Sequence, residues 1–99
     1  MEKTIDQKLA ITLRQNRVSF AAIFGSRAKG LAKTDSDFDI LIDTDPKDNF
    51  SLLDQVKLKE DLELVLNRKV DLVTLGGLNR FMRDEVIKTM KVIYDERKR

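Results

Sequence analysis

The stretch that decides the fold is VSFAAIFGS at residues 18–26, followed by DSDFDILID at residues 35–43. The first segment is an apolar run with β-branched and aromatic residues that stops at Gly25, a pattern typical of a buried strand. The second segment alternates acidic and apolar residues over 37–43 and predicts another strand. We therefore expect two strands joined by a glycine-bracketed segment at residues 25–30, either a turn or the start of a short helix, and a polar loop at residues 33–36.

Hydrophobic periodicity predicts the remaining elements. Residues 4–16 and 49–67 have the apolar spacing of helices, and residues 70–75 form a short apolar strand. A last helix is predicted by an apolar residue at every fourth position: Leu78, Met82, Val86 and Met90. Residues 91–94 can add an edge strand. This order predicts one α/β domain of the α+β type over residues 1–99, with a small mixed sheet of three to four strands and helices packed on one face.

The composition excludes several kinds of chemistry. The chain has no cysteine and no histidine, which removes disulfides, zinc–thiolate sites and catalytic triads. Acidic and basic residues are interspersed and the net charge is only +2, so we expect no direct DNA binding. No apolar run reaches membrane-spanning length, and we expect a cytoplasmic protein without membrane contact. Catalysis must then depend on carboxylates, hydroxyls and basic side chains, with or without a hard metal ion.

Three acidic residues are the candidate metal ligands. Asp37 and Asp39 are two apart on one predicted strand, so their carboxylates point to the same face. Two neighbouring carboxylates repel each other, and a divalent cation relieves that repulsion. Asp71, on the third predicted strand, could join them from the adjacent position. Three such acids can hold two metal ions of the kind used in phosphoryl transfer.

A candidate phosphate cradle adjoins this acidic group. Gly25 permits close backbone approach, and backbone amides at a turn entering a helix bind phosphate oxygens. The Ser26 hydroxyl would add a donor, and Arg27 and Lys29 supply positive charge nearby. Either half alone is a common sequence feature, but an anion cradle beside an acidic metal site fits a nucleoside triphosphate with its metal ions.

The two halves together resemble a known family. Gly25-Ser26, ten residues, then Asp37-Phe38-Asp39 is similar to the hallmark of the DNA polymerase beta-like nucleotidyltransferase superfamily. The segments GSRAKG at 25–30, DSDFDI at 35–40 and RKVDLVT at 68–74 resemble its minimal nucleotidyltransferase branch. The resemblance covers nearly the whole chain and implies the polymerase beta-like nucleotidyltransferase fold.

The resemblance also implies roles for the matching positions. Asp37, Asp39 and Asp71 would be catalytic and would bind two Mg²⁺ ions, with Asp71 helping to deprotonate the acceptor hydroxyl. Gly25 and Ser26 would hold the triphosphate of ATP, aided by Arg27 and Lys29. Lys29 stands where the family often has arginine, so the grip on phosphate is expected to be weaker.

The implied reaction is Mg²⁺-dependent transfer of AMP from ATP to a hydroxyl acceptor. Minimal nucleotidyltransferases resemble, as a group, antitoxins that modify a tyrosine of a HEPN-type toxin partner. The apolar residues Leu53 and Leu64 fall outside the main apolar face of the 49–67 helix; either a neighbouring element covers them, or they are docking positions for that partner. Two alternatives remain open: a catalytically silent antitoxin that blocks its partner sterically, and a small-molecule transferase similar to aminoglycoside-modifying enzymes. A DNA-binding antitoxin is disfavoured by the mixed charge.

Overall fold

A computed structural model of the protein describes residues 3–25 and 38–97. These residues form three helices, four strands and two short 3₁₀ turns, at Pro46–Asp48 and Leu75–Gly77. The helices and strands, in chain order, are α1 (Ile5–Gln15), β1 (Val18–Phe24), β2 (Phe38–Thr44), α2 (Leu52–Leu66), β3 (Val70–Thr74), α3 (Arg80–Thr89) and β4 (Lys91–Asp95). Each one corresponds to an element predicted from the sequence.

Local hydrogen bonds define where the helices begin. Thr4 caps α1 in a reciprocal capping box with Gln7, and Ser51 caps α2 in the same way with Asp54. Such boxes satisfy amide groups that have no partner inside the helix. Helix α2 ends at Asn67, which adopts a left-handed conformation (φ 54°) that asparagine tolerates better than most residues.

The four strands form one mixed sheet in the order β3-β2-β1-β4. Strand β1 is antiparallel to both β2 and β4, whereas β2 and β3 are parallel. Parallel neighbours require a crossover connection, and α2 supplies it between β2 and β3. The predicted small mixed sheet is confirmed, and the amino ends of β2 and β3 lie side by side.

The core has two parts, one on each face of the sheet. Helices α1 and α2 cover one face, where Leu13, Leu58 and Leu62 are fully buried against Ile40 and other strand residues. Helix α3 lies on the opposite face, and its buried residue there is Val86, packed in the cluster of Phe20, Ala22, Leu41 and Leu78.

The expectation that helices pack on one face therefore holds for α1 and α2 but was wrong for α3. Strand β1 explains the difference, because consecutive residues Phe20, Ala21 and Ala22 are all buried and both of its faces need cover. The apolar stripe predicted for α3 is only partly buried, because Met82 is half exposed while Val86 is buried. Within the described residues, no helix is long and apolar enough to cross a membrane.

Candidate active site

The site lies where the carboxyl end of β1 meets the amino ends of β2 and β3. Phe24, the last residue of β1, pairs with Asp39 of β2, so Gly25 follows directly beside that carboxylate. The start of β2 is tied to β3 by the Phe38 amide, which donates to the carbonyl of Lys69 at 2.9 Å. Both of these pairings fix the position of Asp39 at the edge of the core.

Asp39 and Asp71 are partners in the parallel ladder between β2 and β3. Register partners on neighbouring strands point to the same face, and here it is the face that carries Leu41 and Val73 in the α3 cluster. Asp39 is partly buried and Asp71 is exposed. The two side chains therefore start from adjacent positions at the solvent-facing end of an otherwise apolar surface.

Gly25 has a second role that the sequence did not predict. Its φ of 74° lies in the left-handed region, and a Cβ built on it would overlap Oδ2 of Asp39 and stand 3.4 Å from its Cγ. The lack of a side chain at Gly25 thus leaves room for the Asp39 carboxylate, besides any contact of the backbone with phosphate. A glycine that directly follows a strand and precedes an acidic strand is the signal that could have indicated this.

The other predicted site residues cannot be placed in this geometry. Asp37, predicted as a metal ligand, and Ser26, Arg27 and Lys29, predicted as the phosphate cradle, lie outside the described residues. Over residues 3–25 and 38–97, no group of three acidic, histidine or cysteine side chains comes together. Their roles remain predictions.

The residues that the structure brings together fit a hard divalent cation. Mg²⁺ prefers oxygen ligands and commonly takes one or two protein carboxylates together with substrate phosphates. Asp39 and Asp71 supply two carboxylates from adjacent register positions, and Gly25 keeps the space beside one of them clear. The donor set thus matches the chemistry that the sequence predicts.

A cavity of about 540 Å³ at the opposite end of the sheet is less suited to bind a triphosphate. It lies at the start of β1 and the end of β2, and its arginines already have acidic partners. Arg14 pairs with Glu96 at 2.6 Å, Arg17 with Asp54 at 2.9 Å and Arg97 with Asp95 at 3.0 Å. Because these arginines already form ion pairs, the end of the sheet that carries Asp39 and Asp71 remains the stronger candidate for triphosphate binding.

Comparison with known proteins identifies the family. The model of the family described as polymerase beta, nucleotidyltransferase, matches residues 7–99. This chain belongs to that family. The nucleotidyltransferase is 37% identical over 83 residues to a candidate protein adenylyltransferase of Methanocaldococcus jannaschii, a match that spans 84% of this chain and 87% of the relative. It is 40% identical over 72 residues to the protein adenylyltransferase MntA of Thermococcus cleftensis, covering 73% of this chain and 69% of that protein.

Solved structures share the fold of this nucleotidyltransferase. A structure described as a minimal nucleotidyltransferase matches with a TM-score of 0.75 and 30% identity, over 86% of this chain and 85% of the other. A toxin–antitoxin complex with AMP-PNP contains a chain that matches with a TM-score of 0.75 and 25% identity, over 91% of this chain and 73% of that one. The resemblance drawn from the residue motifs is confirmed at the level of family and fold.

Proposed function

We propose that this nucleotidyltransferase transfers AMP from ATP, with Mg²⁺, to a tyrosine hydroxyl of a HEPN-type toxin and so acts as its antitoxin. The observation that carries the proposal is the register pairing of Asp39 with Asp71 beside Gly25. Relatives named protein adenylyltransferase support the protein acceptor, and a structural relative solved in a toxin–antitoxin complex with AMP-PNP supports the partner and the nucleotide.

Each predicted site residue has a proposed role in this reaction. Asp39, Asp71 and Asp37 would hold Mg²⁺, and the bound ion would neutralise part of the negative charge of the phosphates. Gly25 and Ser26 would hold the triphosphate, with Arg27 and Lys29 adding positive charge. Asp71, the more exposed of the two described carboxylates, would accept the proton of the acceptor hydroxyl as that oxygen attacks the α-phosphorus and pyrophosphate leaves.

The exposed side of α2 supplies the proposed docking positions. Leu53 and Leu64 are 81% and 82% exposed, so neither belongs to the core. They are eleven residues apart, about three helical turns, and therefore lie on the same side of α2. Each is a large apolar side chain that the rest of the described chain leaves in solvent, which makes the two residues candidate contacts for a partner. We propose that the toxin contacts this side of the helix.

The experiment combines α-labelled ATP, Mg²⁺ and the product of the neighbouring open reading frame. We expect label on the partner protein and, by mass spectrometry, the mass of AMP on a tyrosine. Stable binding of the partner without transfer would favour a sterically blocking antitoxin. Labelling of an aminoglycoside in the absence of any partner would favour a small-molecule transferase. Either result would contradict the proposal.

A further inference from the structure

Strand β3 is an edge strand, although it carries one of the two candidate metal ligands. Among the described residues it pairs with β2 on one side only, and Asp71 is its second residue. The residues on either side of Asp71, Val70 and Leu72, direct main-chain groups to the outer edge, away from β2. A five-residue edge strand paired on one side is prone to fray or slip, because nothing in the sheet restrains its outer edge.

Two side chains of α2 bond to that outer edge. The Glu63 carboxylate accepts a hydrogen bond from the Val70 amide at 2.9 Å (Oε2). The Gln55 amide (Nε2) donates to the Leu72 carbonyl at 3.2 Å. The two bonds flank Asp71 on its own strand, and together they replace part of the ladder that a further strand would provide.

The chemistry of each side chain matches the group that it contacts. A carboxylate only accepts hydrogen bonds, and it meets an N–H; a carboxamide can donate, and it meets a carbonyl. Leu58 and Leu62, which lie between Gln55 and Glu63 in sequence, are fully buried in the core. The helix that carries the two polar side chains is therefore anchored, and β3 is held against a fixed support.

We propose that Gln55 and Glu63 are positioning residues that clamp β3 to α2 and keep Asp71 in register with Asp39. The inference rests on the proposed function, in which these two carboxylates hold Mg²⁺. A displacement of about 1 Å at a reacting group can cost about 100-fold in rate. Movement of β3 should therefore lower the rate of transfer more than it lowers the stability of the fold.

The test compares Glu63→Ala and Gln55→Ala with Glu63→Gln, which keeps an oxygen acceptor for the Val70 amide. Glu85→Ala is the matched control, because Glu85 is an exposed glutamate on α3 rather than on α2. Three quantities are measured in the full chain: amide hydrogen exchange at Val70, the Mg²⁺ concentration for half-maximal transfer, and calorimetric Mg²⁺ binding with a non-hydrolysable ATP analogue.

We expect Glu63→Ala to speed exchange at Val70 and to raise the half-saturating Mg²⁺ concentration by about tenfold. Gln55→Ala should act in the same direction, while Glu63→Gln and the control stay near wild type. A purely structural role would lower the melting temperature and the active fraction but leave the Mg²⁺ requirement unchanged, and that result would overturn the clamp.

Failure of the proposed function can be separated from failure of the clamp. If wild type binds Mg²⁺ with the nucleotide analogue but transfers nothing, the proposed transfer reaction is wrong. Calorimetry then still tests whether Gln55 and Glu63 position Asp71 for Mg²⁺ binding. Weaker Mg²⁺ binding in Glu63→Ala, restored in Glu63→Gln, then supports it, and equal binding in all variants overturns it. If wild type binds no Mg²⁺, both proposals fail.

Discussion

Gly25 and Asp39 touch so closely that the first residue could not carry a side chain without displacing the second. A Cβ at Gly25 would overlap the Asp39 carboxylate, and the backbone at Gly25 has a φ of 74°. The end of β1 and the start of β2 are thus fitted to each other at the point where the chemistry is proposed. Gly25 thus meets two requirements at one position: a left-handed backbone conformation and room for the Asp39 carboxylate.

The substitution Gly25→Ala is therefore expected to impair the site. The new methyl group would push the Asp39 carboxylate aside, and the left-handed backbone would cost about 1 kcal/mol for a residue with a Cβ. We expect transfer to fall by about 100-fold, measured as initial rate at saturating ATP. Gly76→Ala is the matched control, because a Cβ there would meet nothing within 4 Å. Equal rates for the two variants would be inconsistent with this account.

The strand pattern was largely predictable, whereas the arrangement of the helices was not. The limits of β1 agree with the prediction because an apolar run bounded by polar residues and Gly25 can hardly be anything else. The side on which α3 packs depends on which sheet face is left uncovered, and an apolar stripe on a helix carries no such information. The structure reveals the two-sided core, because Phe20, Ala21 and Ala22 are buried in succession.

The candidate site was predictable in composition but not in register. The sequence indicated that Asp39 and Asp71 belong to different strands, yet it could not fix how these strands pair. The crossover through α2 makes β2 and β3 parallel and aligns the two carboxylates. The roles of Gln55 and Glu63 were not predictable at all, because they depend on which side chains of α2 reach the edge of β3.

Acid should destabilise the protein partly through Asp54 at the start of α2. Hydrogen bonds from the Ser51 backbone, then from its hydroxyl, and the nearby Arg17 lower the pKa of Asp54 below its ordinary value. A carboxyl group whose pKa is lowered by folding stabilises the folded state above its unfolded pKa, and that contribution is lost as the pH falls through the folded pKa. The relevant window therefore begins at about pH 4 and extends to lower pH.

We expect Asp54→Asn to show a smaller loss of stability than wild type as the pH falls through this window. The measurement is the urea midpoint as a function of pH, compared at pH 7 and at several values below 4. Asp84→Asn, an exposed position on α3, serves as the control. Parallel curves for wild type and Asp54→Asn would show that this carboxyl group contributes nothing to the acid transition.

The hydroxyl group of Tyr94 is expected to be dispensable for folding. Tyr94 is buried, and its hydroxyl makes no hydrogen bond of ordinary length and angle although the Arg14–Glu96 ion pair lies beside it; burial, followed by the Glu96 carboxylate, raises its pKa. Removing an unsatisfied buried polar group relieves a desolvation cost, so Tyr94→Phe should keep or slightly raise the melting temperature. Tyr94→Ala, which also removes the ring, should cost about 3–5 kcal/mol. A clear loss of stability in Tyr94→Phe would reveal a hydrogen bond to this hydroxyl.

Charged substitutions on the exposed side of α2 are expected to weaken partner binding without unfolding the chain. Leu53→Asp and Leu64→Asp replace side chains that are mostly exposed, so the melting temperature should change little. A buried charge at an interface costs several kcal/mol, so affinity for the toxin should fall by about 100-fold or more, as measured by calorimetry. Lys88→Asp, at an exposed position on α3, is the control; a similar loss there would point to general charge repulsion instead.

The most direct test of the account compares Asp39→Asn and Asp71→Asn with Asp84→Asn in AMP transfer from α-labelled ATP to the partner protein at saturating Mg²⁺. If Asp39 and Asp71 hold the metal together, each of the first two substitutions lowers transfer by more than about 100-fold, leaves the melting temperature unchanged or raised, and spares the control. Wild-type transfer by Asp71→Asn would contradict the claim that these paired carboxylates form the active site.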